Sequence, residues 1–329
     1  MARKYDVAGL GNAIVDVIAP ADDAFLLEHN VAKGVMTLID EYRAHQLLRA
    51  LPEGREIAGG SAANTMAGLA SLGGKGVFIG KVKADRLGES FAESLKQIGL
   101  DYDTKMAQDG PQTACCLIAV TPDGQRSMNT YLGACRNITP DDIDEKAVAA
   151  SSVLYIEGYL WDEPAAKAAI EKAMAAAKKA GNKVAFTLSD PFCVERWRDE
   201  FRDLLENKID ILFANEAEAM ALFEADSFDD VLQAARSWKG VAALTRSEKG
   251  CVIVDDEVHV LDAAPVAKVL DTTGAGDQFA AGFLYGWTHD KPLRVCGKLG
   301  ALAAAEVISH YGARPEKHLK ALAADANLI

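Results

Sequence analysis

From about residue 150 the sequence alternates short apolar runs with longer amphipathic stretches, and that rhythm limits the chain to a layered α/β fold. Val153–Glu157, Lys183–Leu188, Ile209–Ala214 and Val241–Thr245 read as strands. Between them Glu163–Ala180, Asp199–Glu206, Ala217–Phe223 and the segment around Val231–Trp238 read as helices. Strands separated by helices of this length imply a mostly parallel sheet with helices on both faces. Cys251–Val254 and Val258–Leu261, joined by Asp255-Asp256-Glu257, predict a hairpin. Ala275–Thr288, Pro292–Ser309 and Pro315–Ala324 predict three closing helices.

The first third departs from this rhythm. Tyr5–Leu10 and Ala13–Ala19 are short apolar runs separated at Gly11-Asn12, and Ser61–Leu72 is a helix rich in small residues. Gly76–Val82 predicts a strand, and Arg86–Ile98 a helix with Leu87, Phe91, Leu95 and Ile98 on one face. Thr113–Val120 and Arg126–Leu132 flank the turn Thr121-Pro122-Asp123-Gly124, which predicts another hairpin. These extra strands predict a small accessory sheet on one edge of the main body.

A net charge of −13 argues against a nonspecific nucleic-acid binder, which needs Lys and Arg to neutralise phosphates. It does not exclude a phosphate held by backbone amides. The apolar stretch after Arg3-Lys4 is broken by Asp6, Asn12 and Asp16, so it fails as a signal peptide. No run of about 18 apolar residues predicts a membrane span. The six cysteines have neither CxxC nor zinc spacing and predict reduced thiols in a cytoplasmic protein.

The segment that carries chemistry is Asp271-Thr272-Thr273-Gly274-Ala275-Gly276-Asp277-Gln278-Phe279, running into the helical Ala280–Leu284. Small residues at 274–276 let the backbone turn and present successive N–H groups, and the following helix adds its N-terminal dipole. Together they suit a transferring phosphoryl group. Asp277 would repel a phosphate at rest, and it makes sense as a group that accepts a proton from an attacking hydroxyl. A helix-capping Asp is the alternative. Neither a GxxxxGK[ST] loop nor a protein-kinase glycine loop with a partner Lys is present.

The string DTTGAGDQFAAGF closely resembles the signature of the ribokinase-like (PfkB) carbohydrate kinases, a family that includes adenosine kinases, and the resemblance runs over nearly the whole chain. It implies a ribokinase-like three-layer α/β sandwich, with a mostly parallel central sheet and a small β-sheet lid. Residues 1–329 would form one kinase domain, with lid strands from about 12–40 and 110–133. By resemblance, Asp277 is the catalytic base and the amides of Gly274, Ala275 and Gly276 form the anion hole. Gly59-Gly60-Ser61-Ala62-Ala63-Asn64 matches the family's Gly-Gly motif, so Gly60 and Asn64, with Asn12 and Asp16 of the first strands, would hold the acceptor. Asn215 and Glu218 match an Asn-x-x-Glu motif near Mg²⁺ and the ATP phosphates, with a helix cap as the plainer reading. Thr245 to Gly250 resembles the nucleotide-phosphate loop. Asp271, Thr273 and Gly312 match positions that bind a monovalent cation, K⁺, in many relatives.

The implied partners are therefore Mg·ATP and a nucleoside or sugar, in a monomer or homodimer. Gly11-Asn12-x-x-x-Asp16 and Arg314-Pro315-Glu316-Lys317 look like adenosine kinases. Tyr131-Leu132-Gly133 offers an aromatic surface for a base or an ordinary lid core. A kinase of ribose, fructose or a keto-sugar acid is the alternative, and a non-catalytic nucleoside- or sugar-binding protein a further one.

Overall fold

The computed structural model describes residues 3–329. Its larger sheet has eight strands in the order β13-β12-β11-β10-β9-β8-β1-β5. These are β1 (Tyr5–Leu10), β5 (Gly76–Ile79), β8 (Ser151–Glu157), β9 (Lys183–Thr187), β10 (Ile211–Asn215), β11 (Val241–Thr245), β12 (Cys251–Val254) and β13 (Val258–Leu261). The six from β5 to β11 run parallel, and β12 and β13 return antiparallel as the hairpin predicted from the sequence. Parallel strands must be covered on both faces. One face packs on the helices Ser61–Ser71, Ala275–Thr288 and Leu293–Val307, around Met66, Phe213, Phe283 and Leu299. The other packs on Pro164–Lys179 and Pro191–Asn207, around Leu154, Phe186, Ile170 and Phe201.

The smaller sheet has five strands in the order β3-β7-β6-β2-β4. They are β2 (Ile14–Pro20), β3 (Met36–Leu38), β4 (Arg55–Gly59), β6 (Ala114–Val120) and β7 (Arg126–Tyr131). Along β2 the period of two is plain: Val15, Val17 and Ala19 are buried in the core, while Ile14, Asp16 and Ile18 face a cleft between the sheets. The strand Arg55–Gly59 lies outside the segments 12–40 and 110–133 expected to supply this sheet. It is a strand because it pairs antiparallel with β2, Ile14 opposite Gly59, and not because its own sequence alternates. The helix read as Asp199–Glu206 begins earlier, at Pro191 with Asp190 as its N-cap, and is kinked at Trp197. All six cysteines are free and buried, and burial pushes the thiols of Cys115, Cys116, Cys193, Cys251 and Cys296 up to about 12. No helix among the described residues is long and apolar enough to cross a membrane.

Candidate active site

The cleft has a volume of about 860 Å³ and lies at the carboxyl ends of the parallel strands, where open α/β sheets bind ligands. Its floor is the start of the helix Ala275–Thr288. Gly274 caps that helix in the left-handed conformation, φ +78°, and a Cβ there would lie 2.7 Å from Cα of Ala313, so only glycine fits without displacing backbone. The Ala275 amide donates to the Thr272 carbonyl at 3.2 Å. Among the described residues the first-turn amides of Gly276 and Asp277 have no backbone acceptor, as at any helix start. Of the three amides the sequence suggested, Gly274 and Gly276 have no acceptor among the described residues, whereas that of Ala275 is engaged.

Asp277 is held on both carboxylate oxygens. Ser61 Oγ donates to Oδ1 at 2.6 Å and Asn64 Nδ2 donates to Oδ2 at 3.3 Å. Burial pushes its carboxyl up to about 6, against the pull of those two donors. Asn64 and Ser61 sit on the first turns of the Ser61–Ser71 helix, which starts at Gly60 with φ +95°. A Cβ on Gly60 would lie 2.1 Å from the Asn12 carbonyl oxygen, so the two segments that cross between the sheets pass backbone against backbone.

Asp16 faces the cleft from β2 in company with Ile14 and Ile18, and with Ile118 and Met128 of the neighbouring strands. Burial pushes its carboxyl up to about 6, with the charges of Arg314 and Arg126 pulling the other way. Arg314 is turned toward the same space: its Nε donates to Asn64 Oδ1 at 3.3 Å and its Nη1 to Ser94 Oγ at 3.4 Å. Burial lowers its guanidinium to about 10, and Asp16 opposes that shift.

On the other side of the helix start, Asn215 and Thr245 close adjacent strands in register. Asn215 and Glu218 form a complete capping box, with Glu218 N donating to Asn215 Oδ1 and Asn215 N to Glu218 Oε2, both at 2.9 Å. Burial pushes the Glu218 carboxyl up to about 7. Both residues line the cleft. Glu218 Oε1 also accepts from Asn215 Nδ2 at 2.6 Å, so both its oxygens are engaged by the cap and the pair could meet Mg²⁺ only through the water that this ion keeps.

The structure brings Asp16, Gly60, Asn64, Asn215, Glu218, Thr245, Thr273, Gly274, Ala275, Gly276, Asp277 and Gly312 into one cleft. Three sequence-expected residues stand elsewhere. Asn12 turns away from the cleft, and its backbone N and Nδ2 both donate to Glu157 Oε1 at 2.7 Å. Gly250 is a turn residue with φ +82°, where a Cβ would lie 2.1 Å from the Leu261 carbonyl oxygen. Asp271 accepts from the Thr273 amide, Thr273 Oγ1 and the Gly312 amide at 3.0, 2.6 and 3.0 Å, and pairs with Arg126. Burial raises the Asp271 carboxyl, but these donors and the Arg126 charge outweigh it and hold it below the usual range. Its side chain is thus fully engaged and beside a guanidinium, which does not fit a K⁺ ligand. Arg246, on the expected nucleotide loop, is bound by Glu216 and stacks on Phe228, 3.8 Å from the ring centre.

The sequence assigned no role to Ser61, Arg126 or Glu157, and it marked Arg314 only as part of the Arg314-Pro315-Glu316-Lys317 segment. Ser61 lay inside the quoted Gly-Gly motif without a role. Glu157 gave a signal of its own, a carboxylate closing an otherwise apolar strand, which is costly to bury without partners. Arg126 and Arg314 are surface-like residues by composition, and only the meeting of the two sheets makes them neighbours of the site.

Comparison with known proteins gives the same picture. The pfkB family carbohydrate kinase model matches residues 33–319. A probable sugar kinase from Rhizobium etli CFN 42 is 46% identical, with a TM-score of 0.90 over 99% of this chain and 100% of that one. The adenosine kinase of Sinorhizobium meliloti is 49% identical, with a TM-score of 0.88 over 98% and 99% of the two chains. The adenosine kinase of Saccharomyces cerevisiae is 28% identical over 92% of this chain and 94% of its own. Signature, fold, cleft and relatives agree: the chain belongs to the pfkB family of carbohydrate kinases and is an ATP-dependent phosphotransferase acting on a sugar or nucleoside.

Proposed function

We propose that this kinase phosphorylates the 5′-hydroxymethyl group of a nucleoside, adenosine first among them, with Asp277 as the base. The observation that carries this reading is the pairing of two carboxylates across a half-apolar cleft. Asp277 stands at the helix start, and Asp16 stands among Ile14, Ile18, Ile118 and Met128. A nucleoside matches both halves. Its ribose hydroxyls would donate to Asp16, whose carboxylate has no hydrogen-bond partner among the described residues, and its flat base would cover the isoleucines. The 49% identity with an adenosine kinase supports the same choice.

In this reading Asp277, with a carboxyl near 6, takes the proton of the hydroxymethyl group while that oxygen bonds to the γ-phosphorus. The bond to the β–γ bridging oxygen breaks and ADP leaves. The amides of Gly276 and Asp277 stabilise the charge on the transferring group. Asn64 and Ser61 fix the base, and Asn64 and Gly60 border the acceptor. Asn215 and Glu218 would stand beside the Mg²⁺ that accompanies ATP, which neutralises phosphate charge. The five-stranded sheet would cover the acceptor and keep water from the phosphoryl group.

A Mg·ATP consumption assay against adenosine, guanosine, inosine, cytidine, ribose, fructose and 2-keto-3-deoxygluconate tests this. Preferred turnover of adenosine supports the proposal. Turnover confined to a free sugar would replace the nucleoside and leave the chemistry in place, as the probable sugar kinase from Rhizobium etli CFN 42 would suggest. ATP and adenosine binding without turnover would remove Asp277 from the base role.

A further inference from the structure

Glu157 closes β8 and is 1% exposed, and it does not line the cleft. Three N–H groups converge on it: the Asn12 amide and Asn12 Nδ2 at 2.7 Å on Oε1, and the Ala62 amide at 2.8 Å on Oε2. These donors come from two crossings between the sheets. Asn12 lies where the chain leaves β1 for β2, and Ala62 where it returns from β4 into the helix that begins at Ser61. The packing around the carboxylate leaves no slack, because a Cβ on Gly11 would lie 2.5 Å from both Glu157 Oε2 and Ala62 Cβ. Ala62 is flanked by Ser61, and Asn64 is two residues on; these are the two residues that hold Asp277.

We propose that Glu157 is a positioning residue: it pins both crossings to the end of the large sheet and so sets Ser61 and Asn64 against Asp277. A buried carboxylate is kept only when donors meet it, and here the donors are the hinge peptides themselves. Glutamine cannot replace it. Whichever way its amide is turned, its NH₂ group meets the donors of one crossing and releases that crossing. The acceptor, which lies between the two sheets, would lose its site, while ATP, bound at the ends of β10 and β11, would not. This inference rests on the proposal that an alcohol acceptor binds between Asp16 and Asp277.

The test compares wild type, Glu157→Gln and Asn12→Ala in two assays. In steady-state kinetics with adenosine, or the acceptor that the panel selects, Glu157→Gln should raise the acceptor KM tenfold or more and leave the ATP KM within twofold. Asn12→Ala, which removes one of the three donors, should shift the same parameter by less. In amide hydrogen exchange, which needs no turnover, Glu157→Gln should speed exchange at Asn12 or at Ala62, whichever crossing its NH₂ group faces, below the global unfolding limit. Equal changes in both KM values, or exchange unchanged at both Asn12 and Ala62, would overturn the proposal. So would a lowered acid limb of the pH profile with the acceptor KM unchanged, since that would make Glu157 a charge acting on Asp277. Should Glu157→Gln fail to fold, Asn12→Ala decides by the same two readouts. Should wild type turn over no acceptor, the functional reading fails and exchange alone judges the hinge.

Discussion

Replacing Ser61 by alanine removes one hydrogen bond, and its consequence can be worked out as a pH effect. Ser61 Oγ donates to Asp277 Oδ1 at 2.6 Å, a bond that favours the ionised carboxylate and lowers its pKa against the burial that raises it. A hydrogen bond to a charged group contributes about 1.5–3 kcal/mol, and 1.36 kcal/mol is roughly one pKa unit. Asp277 opens onto the cleft and is partly screened by water, so the low end applies, a rise of about one unit. From a wild-type value of about 6, the variant's base would then titrate near ~7. At pH 6 the ionised fraction falls from about one half to about one tenth, a roughly fivefold loss of kcat/KM. At pH 8 both forms are more than nine-tenths ionised, and the loss shrinks to about a tenth. The assay is the pH dependence of kcat/KM for the acceptor, which reports the free enzyme. The reasoning fails if the acid limb stays in place and Ser61→Ala lowers the rate by one factor at every pH.

Asp16→Ala should raise the acceptor KM by about ten- to a hundredfold, one or two charged hydrogen bonds at ~1.5 kcal/mol each, with the ATP KM within twofold; equal losses would make Asp16 structural. The same variant should not lower Tm, because burial raises the Asp16 carboxyl to about 6 and its ionised form opposes folding above that pH. Gly60→Ala sets a Cβ 2.1 Å from the Asn12 carbonyl oxygen at φ +95°, and urea unfolding should show a loss of about 1–3 kcal/mol; an unchanged midpoint would mean that the crossings yield freely. Phe283→Ala empties a fully buried site whose ring meets Phe213 edge-on at 5.4 Å, and should cost about 3–5 kcal/mol by the same measurement. A loss below ~1 kcal/mol would show the core collapsing into the space.

The parallel half of the fold was legible because each of its strands is buried on both faces and so reads as a continuous apolar run, as in Ile211–Ala214 and Ala242–Leu244. The accessory sheet was half legible. Its hairpin carries the turn Thr121–Gly124, closed by the Gly124 amide on the Thr121 carbonyl at 2.8 Å. Arg55-Glu56-Ile57-Ala58-Gly59 offers neither alternation nor β-branched residues in number, and becomes a strand only by pairing. Met36–Leu38 is a three-residue edge strand, wholly exposed. Asp190-Pro191 was a readable helix start, an N-cap before proline at the first helical position, and it was passed over.

For the site, the glycine-rich turn with Asp277 was legible because its chemistry is local: a helix start, small residues and one carboxylate. What escaped is what two distant segments make together. Asn12 has the composition of a sugar-binding residue, yet its neighbour in space is Glu157, 145 positions away. Asp271 has the composition of a cation ligand, and a guanidinium from the accessory sheet occupies it. Ser61, Asn64 and Asp277 form one hydrogen-bonded group across more than 200 residues of sequence, and no local pattern records that.

The account stands or falls on Asp277 as the group that takes the proton. The most direct test is single-turnover transfer of the γ-phosphoryl group from saturating Mg·ATP to the selected acceptor, in wild type and Asp277→Asn. Asparagine keeps the size of the side chain and can still accept from Ser61, giving up only the longer contact from Asn64 Nδ2 at 3.3 Å, so the cleft and both affinities should largely persist. The account predicts a rate lower by about 10²–10⁴, the range of a positioned general base, with unchanged binding of either ligand and a Tm no lower than wild type. A rate within a few-fold of wild type would contradict it and leave Asp277 as a helix-capping residue.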